Sequence, residues 1–175
     1  KGAIIALVII MKRKILVGLL TAVIFLACAL VINITPKVEK GSVVLTCDGS
    51  KYELPGTEKT RYCNGKSESV SAEESFEDLL SSVPSFNIKA DVDKDGNVTL
   101  KTPMSVEVTG DRLGDVLYTV YSYDGKVLAK ESKKLELPKE DIDGCLVKIK
   151  ITWGKKDTSY LEEDYWFAAM YNTER

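Results

Sequence analysis

Cys145-Leu146-Val147-Lys148-Ile149-Lys150-Ile151-Thr152-Trp153 alternates between apolar and polar residues. In an extended chain successive side chains point to opposite faces. Cys145, Val147, Ile149, Ile151 and Trp153 therefore share one face, with Lys148 and Lys150 on the other. A helix would spread these apolar residues around its circumference. The stretch predicts a strand with one face in a core and one toward solvent.

Similar runs lie on either side. Phe86-Asn-Ile-Lys-Ala-Asp-Val92 alternates and meets Asn97-Val-Thr-Leu100 across an Asp-Gly turn. Ser105-Val-Glu-Val108 alternates too. Asp115-Val-Leu-Tyr-Thr-Val-Tyr-Ser-Tyr123 runs through Asp124-Gly125 into Lys126-Val-Leu-Ala129. Asp-Gly between such runs signals a hairpin, because a tight turn needs positive φ. Leu135-Glu-Leu137 precedes Pro138, and Tyr165 to Tyr171 forms the last predicted strand. Short strands separated by turn residues predict an antiparallel β-sandwich over 86–175.

The order Tyr118-Thr-Val-Tyr-Ser-Tyr-Asp-Gly125, Leu135-Glu-Leu-Pro138, Val147-Lys-Ile-Lys-Ile-Thr-Trp153 and Tyr165-Trp-Phe167 resembles the back half of an immunoglobulin-like or fibronectin III-like domain of bacterial surface proteins. The resemblance spans about half the chain and lies in patterning. The paired cysteines and central-strand tryptophan of antibody domains are not reproduced. Such domains are mostly adhesive or spacer modules, so the resemblance implies binding or scaffolding.

The last strand is apolar on both faces. Tyr165, Phe167, Ala169 and Tyr171 alternate with Trp166, Ala168 and Met170. One set belongs in the core, and the other faces water unless something covers it. A candidate partner-binding surface is therefore Trp166 with Tyr121 and Tyr123, since exposed aromatic clusters suit protein contact or sugar stacking. The alternative is coverage by a short helix over Ala72 to Val83. Ser71-Ala-Glu-Glu74 reads as its capping box, Phe76, Leu79, Leu80 and Val83 as its apolar stripe, and Pro84 as its stop.

Four segments follow: a cytoplasmic stub and transmembrane anchor (1–35), a stalk and small disulfide-bearing segment (36–67), a Ser/Glu-rich segment with the helix (68–85), and the sandwich (86–175). Lys12-Arg13-Lys14 precedes Ile15 to Ile34, twenty residues without a charge. As a helix these would span about 30 Å, the hydrocarbon thickness of a bilayer. The positive-inside rule puts the three cations in the cytoplasm and the rest of the chain outside. Met11 opens a conventional n-region and is the expected natural start. Three fates are open for the segment: an uncleaved anchor, a signal peptide cut near Ala27-Cys28-Ala29, or a lipoprotein attached through Cys28. The length of the apolar run favours the single-pass anchor. Cleavage would give a secreted module.

Outside the membrane a disulfide can persist. Cys47 and Cys63 are the expected pair, closing a loop of about 15 residues with a stabilisation of about 3 kcal/mol. Cys145 falls on the inward face and is expected as a buried thiol, with pairing to Cys47 or Cys63 as the alternative. Asp91-Val-Asp93-Lys-Asp95-Gly96-Asn97 begins like a calcium loop, with oxygens at positions 1, 3 and 5 and glycine at 6. Position 12 is Thr102, and the flanks read as strands, so an acidic hairpin turn is the competing explanation. Weak calcium binding at Asp91, Asp93, Asp95 and Asn97 is the only cofactor the sequence suggests. Asn97-Val-Thr99 is a glycosylation sequon, meaningful in a eukaryotic secretory pathway.

The chain contains no histidine. Ser-His-Asp and Cys-His catalysis, His-containing zinc sites and the usual neutral-pH switch are thereby excluded. All 26 acids and 20 of the 24 bases lie beyond residue 36, a net charge of −6 for that part. No basic footprint points to nucleic acid. A carboxylate hydrolase using Glu162, Glu163, Asp164 or Asp141 would need two opposed carboxylates in a cleft. The sequence instead favours a non-enzymatic, membrane-held domain that binds or positions a protein or glycan partner. An extracytoplasmic sensor or regulatory module working with a membrane partner is the second reading.

Overall fold

A computed structural model describes residues 38–63, 65–70, 74–94, 98–139, 143–155 and 158–174. The apolar segment Ile15 to Ile34 lies outside them. Among the described residues no helix is long and apolar enough to cross a membrane. Val38–Arg175 forms one compact unit.

Its elements run β1 (Ser42–Cys47), β2 (Ser50–Glu53), β3 (Gly56–Cys63), β4 (Lys66–Ser69), α1 (Phe76–Ser82), β5 (Ser85–Val92), β6 (Val98–Leu100), β7 (Met104–Thr109), β8 (Leu113–Ser122), β9 (Val127–Ser132), β10 (Gly144–Lys155) and β11 (Ser159–Glu174). Among the described residues the architecture is mainly β with one short helix, as the alternation predicts. A three-stranded sheet, β2-β1-β7, packs against an eight-stranded one ordered β4-β3-β11-β10-β8-β9, to which β5 and β6 attach. Pairing is antiparallel except for β5 against β11. β1 to β3, from the stretch expected as stalk and disulfide-bearing segment, and β4, which crosses into the Ser/Glu-rich segment, are strands of these sheets.

β11 organises the large sheet. One edge pairs with β10 from Ser159 to Met170. The other is shared: β3 takes Ser159 to Tyr165, and β5 takes Ala168 to Glu174. β10 opposes β11 with Cys145 at Ala169, Val147 at Phe167, Ile149 at Tyr165, Ile151 at Glu163 and Trp153 at Leu161. These inward pairs meet Val43 and Leu45 of β1 and Ile88 of β5 in the main core. Trp153 is fully buried, and two glycines make room for it. A Cβ on Gly41 would lie 2.7 Å from its ring and one on Gly110 2.6 Å.

The turns depart from expectation in detail. At Asp124-Gly125 only Gly125 has positive φ, 84°. The Asp124 carboxylate accepts hydrogen bonds from Ser122 Oγ and the Lys126 amide, which sets a longer loop. The tight two-residue turn lies instead at Asp48-Gly49, with φ of 49° and 77°, joining β1 to β2. Leu135-Glu-Leu137 is not a strand; both leucines lean on the core from a loop. The helix is shorter than expected. Ser75 caps it, its Oγ accepting the Asp78 amide at 3.2 Å, while Ser71 to Glu73 lie outside the described residues.

Candidate functional site

The outward face of β10 and β11 divides into two zones. At one end Leu146 and Ala168 lie under Leu79 of α1, with Phe76, Leu80, Val83, Tyr121, Tyr123 and Trp166 packed around them. The helix forms there because Phe76, Leu79, Leu80 and Val83 make one stripe that this patch buries. Coverage of the last strand by the helix is therefore realised for Ala168. Met170 stays exposed and Trp166 half-buried at the helix's margin.

Beyond the helix the face is charged. Lys148 sits opposite Trp166, and Lys150 opposite Asp164. The bonds run diagonally: Lys148 Nζ to Asp164 Oδ2 at 2.7 Å and Lys150 Nζ to Glu162 Oε1 at 3.2 Å. Lys148 Nζ also stands 5.3 Å from the Trp166 ring centroid, within cation–π range. The rings form a row, with Tyr121 to Trp166 at 5.9 Å and Phe76 to Tyr121 at 5.8 Å. Where β11 passes from β3 to β5, these residues line a groove of about 470 Å³, walled by Lys59, Thr60, Ser69 and Glu74. Three lysines and three carboxylates balance around it.

Trp166 and Tyr121 are thus brought together as expected. Tyr123 is not beside them in the groove. Its hydroxyl donates to the Ala169 carbonyl at 3.3 Å, and burial raises its pKa, helped by Cys145 and Asp143.

The carboxylates proposed for hydrolysis are separated by the pleat. Glu162 and Asp164 face the groove, each held by a lysine, while Glu163 points into the core at 3% exposure. Trp153 Nε1 donates to Glu163 Oε2 at 2.8 Å, Tyr165 Oη to the same oxygen at 2.7 Å, and Lys40 Nζ to Oε1 at 2.6 Å. Lys40 also reaches Glu58 at 3.2 Å, and Glu58 pairs with Arg61 at 2.7 Å. Burial lowers the Lys40 pKa, but the bonds and charges of Glu163 and Glu58 outweigh it and the net shift is upward. Burial and the neighbouring Glu163 carboxylate push Tyr165 up strongly. Asp141 lies outside the described residues.

Sequence reasoning missed this cluster. Its signal is an acid, Glu163, placed in phase with Leu161, Tyr165 and Phe167 on the inward face. A charge there needs donors, and the two nearest inward ones are Trp153 and Tyr165.

The expected disulfide is absent: Cys47, Cys63 and Cys145 are free thiols. The topology separates the first two. Gly41 abuts Trp153, at the level of Leu161, whereas Tyr52, opposite Leu45, meets Phe86, opposite Ala169. β1 thus runs toward the Ala169 end, and β3 delivers Cys63 to Ser159 at the other. At about 3.3 Å per residue those levels are roughly 30 Å apart, against the about 7 Å that a disulfide spans between Cα atoms. Cys145 is the buried thiol expected, its pKa pushed up to about 11 by burial, with Tyr171 pulling the other way.

At the calcium-like loop, Asp91 pairs with Lys101 at 2.9 Å. Asp93 is exposed, and Asp95 and Asn97 lie outside the described residues. Among the described residues no three His, Cys, Asp or Glu side chains gather as a metal site.

No family model, curated protein or solved structure matches the chain.

Proposed function

We propose that this chain is a membrane-anchored extracytoplasmic module with an immunoglobulin-like sandwich. It binds or positions a protein or glycan partner through the outer face of its large sheet. The observation that carries this reading is the groove beside α1, where Trp166 and Tyr121 border the Lys148–Asp164 and Lys150–Glu162 pairs. Aromatic rings beside a polar rim suit recognition. Asp164 and Glu162 are each neutralised by a lysine, which suits positioning more than acid–base chemistry. The address comes from Ile15 to Ile34 and the cations before it.

One observation favours a sensor or regulatory module acting with a membrane partner. Lys40, six residues beyond Ile34, is held by the buried Glu163. A pull or twist on the stalk would act directly on a core hydrogen-bond cluster.

Two measurements test the proposal together. A variant combining Cys63→Ser with Glu107→Cys in intact cells should react with a membrane-impermeant maleimide and stay with membranes after an alkaline carbonate wash. A photoreactive residue at Ser69, on the groove, should give adducts that one at Glu107, on the small sheet, does not. Labelling only after lysis contradicts the topology, and equal adducts at both positions contradict the binding face.

A further inference from the structure

The floor of the groove restricts what can bind there. It is the face of β10 and β11, central strands whose main-chain groups are engaged on both edges over Glu162 to Asp164. An extended peptide recognised by strand addition needs a free edge, so contacts in the groove must come from side chains. Those side chains alternate in charge and sum to zero across the lining. A polyanion would meet Asp164 and Glu162, and a polycation Lys148 and Lys150. The groove therefore disfavours strongly charged ligands of either sign.

A polyhydroxylated, uncharged ligand meets the opposite situation. At Lys150–Glu162 a donor and an acceptor stand side by side, 3.2 Å apart, and Lys148, held at 2.7 Å by the nearly buried Asp164, sets a second donor beside them. Adjacent ring hydroxyls present the complementary arrangement, one accepting from an ammonium and its neighbour donating to a carboxylate. Outward residues of one strand repeat about every 7 Å, so Glu162, Asp164 and Trp166 step along β11 at roughly the size of a sugar ring. The half-buried Trp166, with the Lys148 ammonium over its ring, and Tyr121 beside it supply the apolar surface against which the C–H face of a pyranose packs. We infer that the groove beside α1 binds a neutral glycan chain, with Trp166 as the apolar contact and Lys148 and the Lys150–Glu162 pair as the hydroxyl-reading groups. This rests on the outer-face reading above and names its ligand class.

The test uses the full chain in lipid nanodiscs, free of sugar-based detergent. Neutral oligosaccharides of glucan, mannan and chitin type are titrated beside uronic-acid and sulfated chains of equal length. Calorimetry gives affinity, and tryptophan emission reports Trp166, since the other tryptophan, Trp153, is sealed in the core. At least one neutral series should bind and shift the emission, with Kd raised tenfold or more in Trp166→Ala. Because Trp166 also packs beside α1, Glu162→Gln supplies an independent arm: it leaves the aromatic row untouched and should weaken binding at least threefold. No neutral chain binding at millimolar concentration, tighter binding of acidic chains, or unchanged affinity in both variants overturns the inference. If the Ser69 adduct with a partner persists while no glycan binds, the ligand class falls and the binding face stands. If both fail, the binding face falls with it.

Discussion

Lys40→Met tests the core cluster that ties the start of the domain to its large sheet. Glu163 accepts three short hydrogen bonds at 3% exposure. Removing the ammonium leaves a buried carboxylate with its Trp153 and Tyr165 donors but no counter-charge. Breaking a fully buried pair costs about 3–5 kcal/mol. Lys40 is 45% exposed, so water can enter where the ammonium stood, and the expected cost is about 2–3 kcal/mol. Glu163→Gln removes the charge from the other side. Its amide can turn one oxygen to Trp153 and Tyr165, but its NH2 then faces the Lys40 ammonium, donor against donor. That variant should cost about 2–4 kcal/mol from lost charge-assisted bonds. The double variant removes the donor conflict along with the charge, so its cost should fall short of the sum by about 1–2 kcal/mol. Denaturant unfolding followed by tryptophan emission measures all three. Additivity within about 0.5 kcal/mol, or single costs below that, would refute the clamp.

Three further outcomes follow from the same structure. Iodoacetamide at pH 8 should label the half-buried Cys63 and spare Cys47 and Cys145 until the domain unfolds; a Cys47–Cys63 bridge in a non-reducing peptide map would contradict the strand directions. Gly41→Ala places a Cβ 1.7 Å from the Thr109 carbonyl oxygen and 2.7 Å from Trp153, so denaturation should show a loss of about 3 kcal/mol or more, whereas Gly49→Ala meets open space and pays only for its left-handed φ of 77°, about 1 kcal/mol. Stability should fall on the alkaline side. Cys145 has a folded pKa of about 11 against an ordinary 9.0, so its contribution, on the order of 2–3 kcal/mol, is complete below pH 9 and lost between pH 9 and 11. Tyr118, Tyr165, Tyr171 and Lys40 are all raised and extend the loss to higher pH. Unfolding midpoints measured from pH 7 to 11 should decline, and a rise would contradict the burial of the Cys145 thiol and the three tyrosines in their neutral forms and the hold of Glu163 and Glu58 on the Lys40 ammonium.

The inward face of Cys145 to Trp153 was legible because period-2 alternation and burial are the same fact seen twice. The β5–β6 and β8–β9 pairings were legible through the Asp-Gly dipeptides that separate alternating runs. The front half was harder. Val43-Val44-Leu45 looks like an isolated β-run because its partners, Ser50–Glu53 and Met104–Thr109, are a polar edge strand and a distant segment. The pattern of Cys47-Asp48-Gly49 recurs in Cys63-Asn64-Gly65. It marks two hairpin connections, Cys47 opposite Ser50 and Cys63 opposite Lys66. Only strand direction, which spacing does not encode, places them at opposite ends. At the groove, Trp166 and Tyr121 could be proposed from the doubly apolar last strand. The diagonal pairing of Lys148 with Asp164 needed the β10–β11 register. Ser75 outcompetes Ser71 as helix cap because only it lies one residue before Phe76, the first of the stripe that the sheet buries.

Hydrogen exchange of the full chain, with and without isolated cell-envelope material, tests the outer-face claim most directly. Added protection should concentrate in α1, β3 and the stretch from Lys148 to Trp166, leaving β1, β2 and β7 unchanged. Protection confined to the three-stranded sheet, or no change at saturating envelope material, would contradict it.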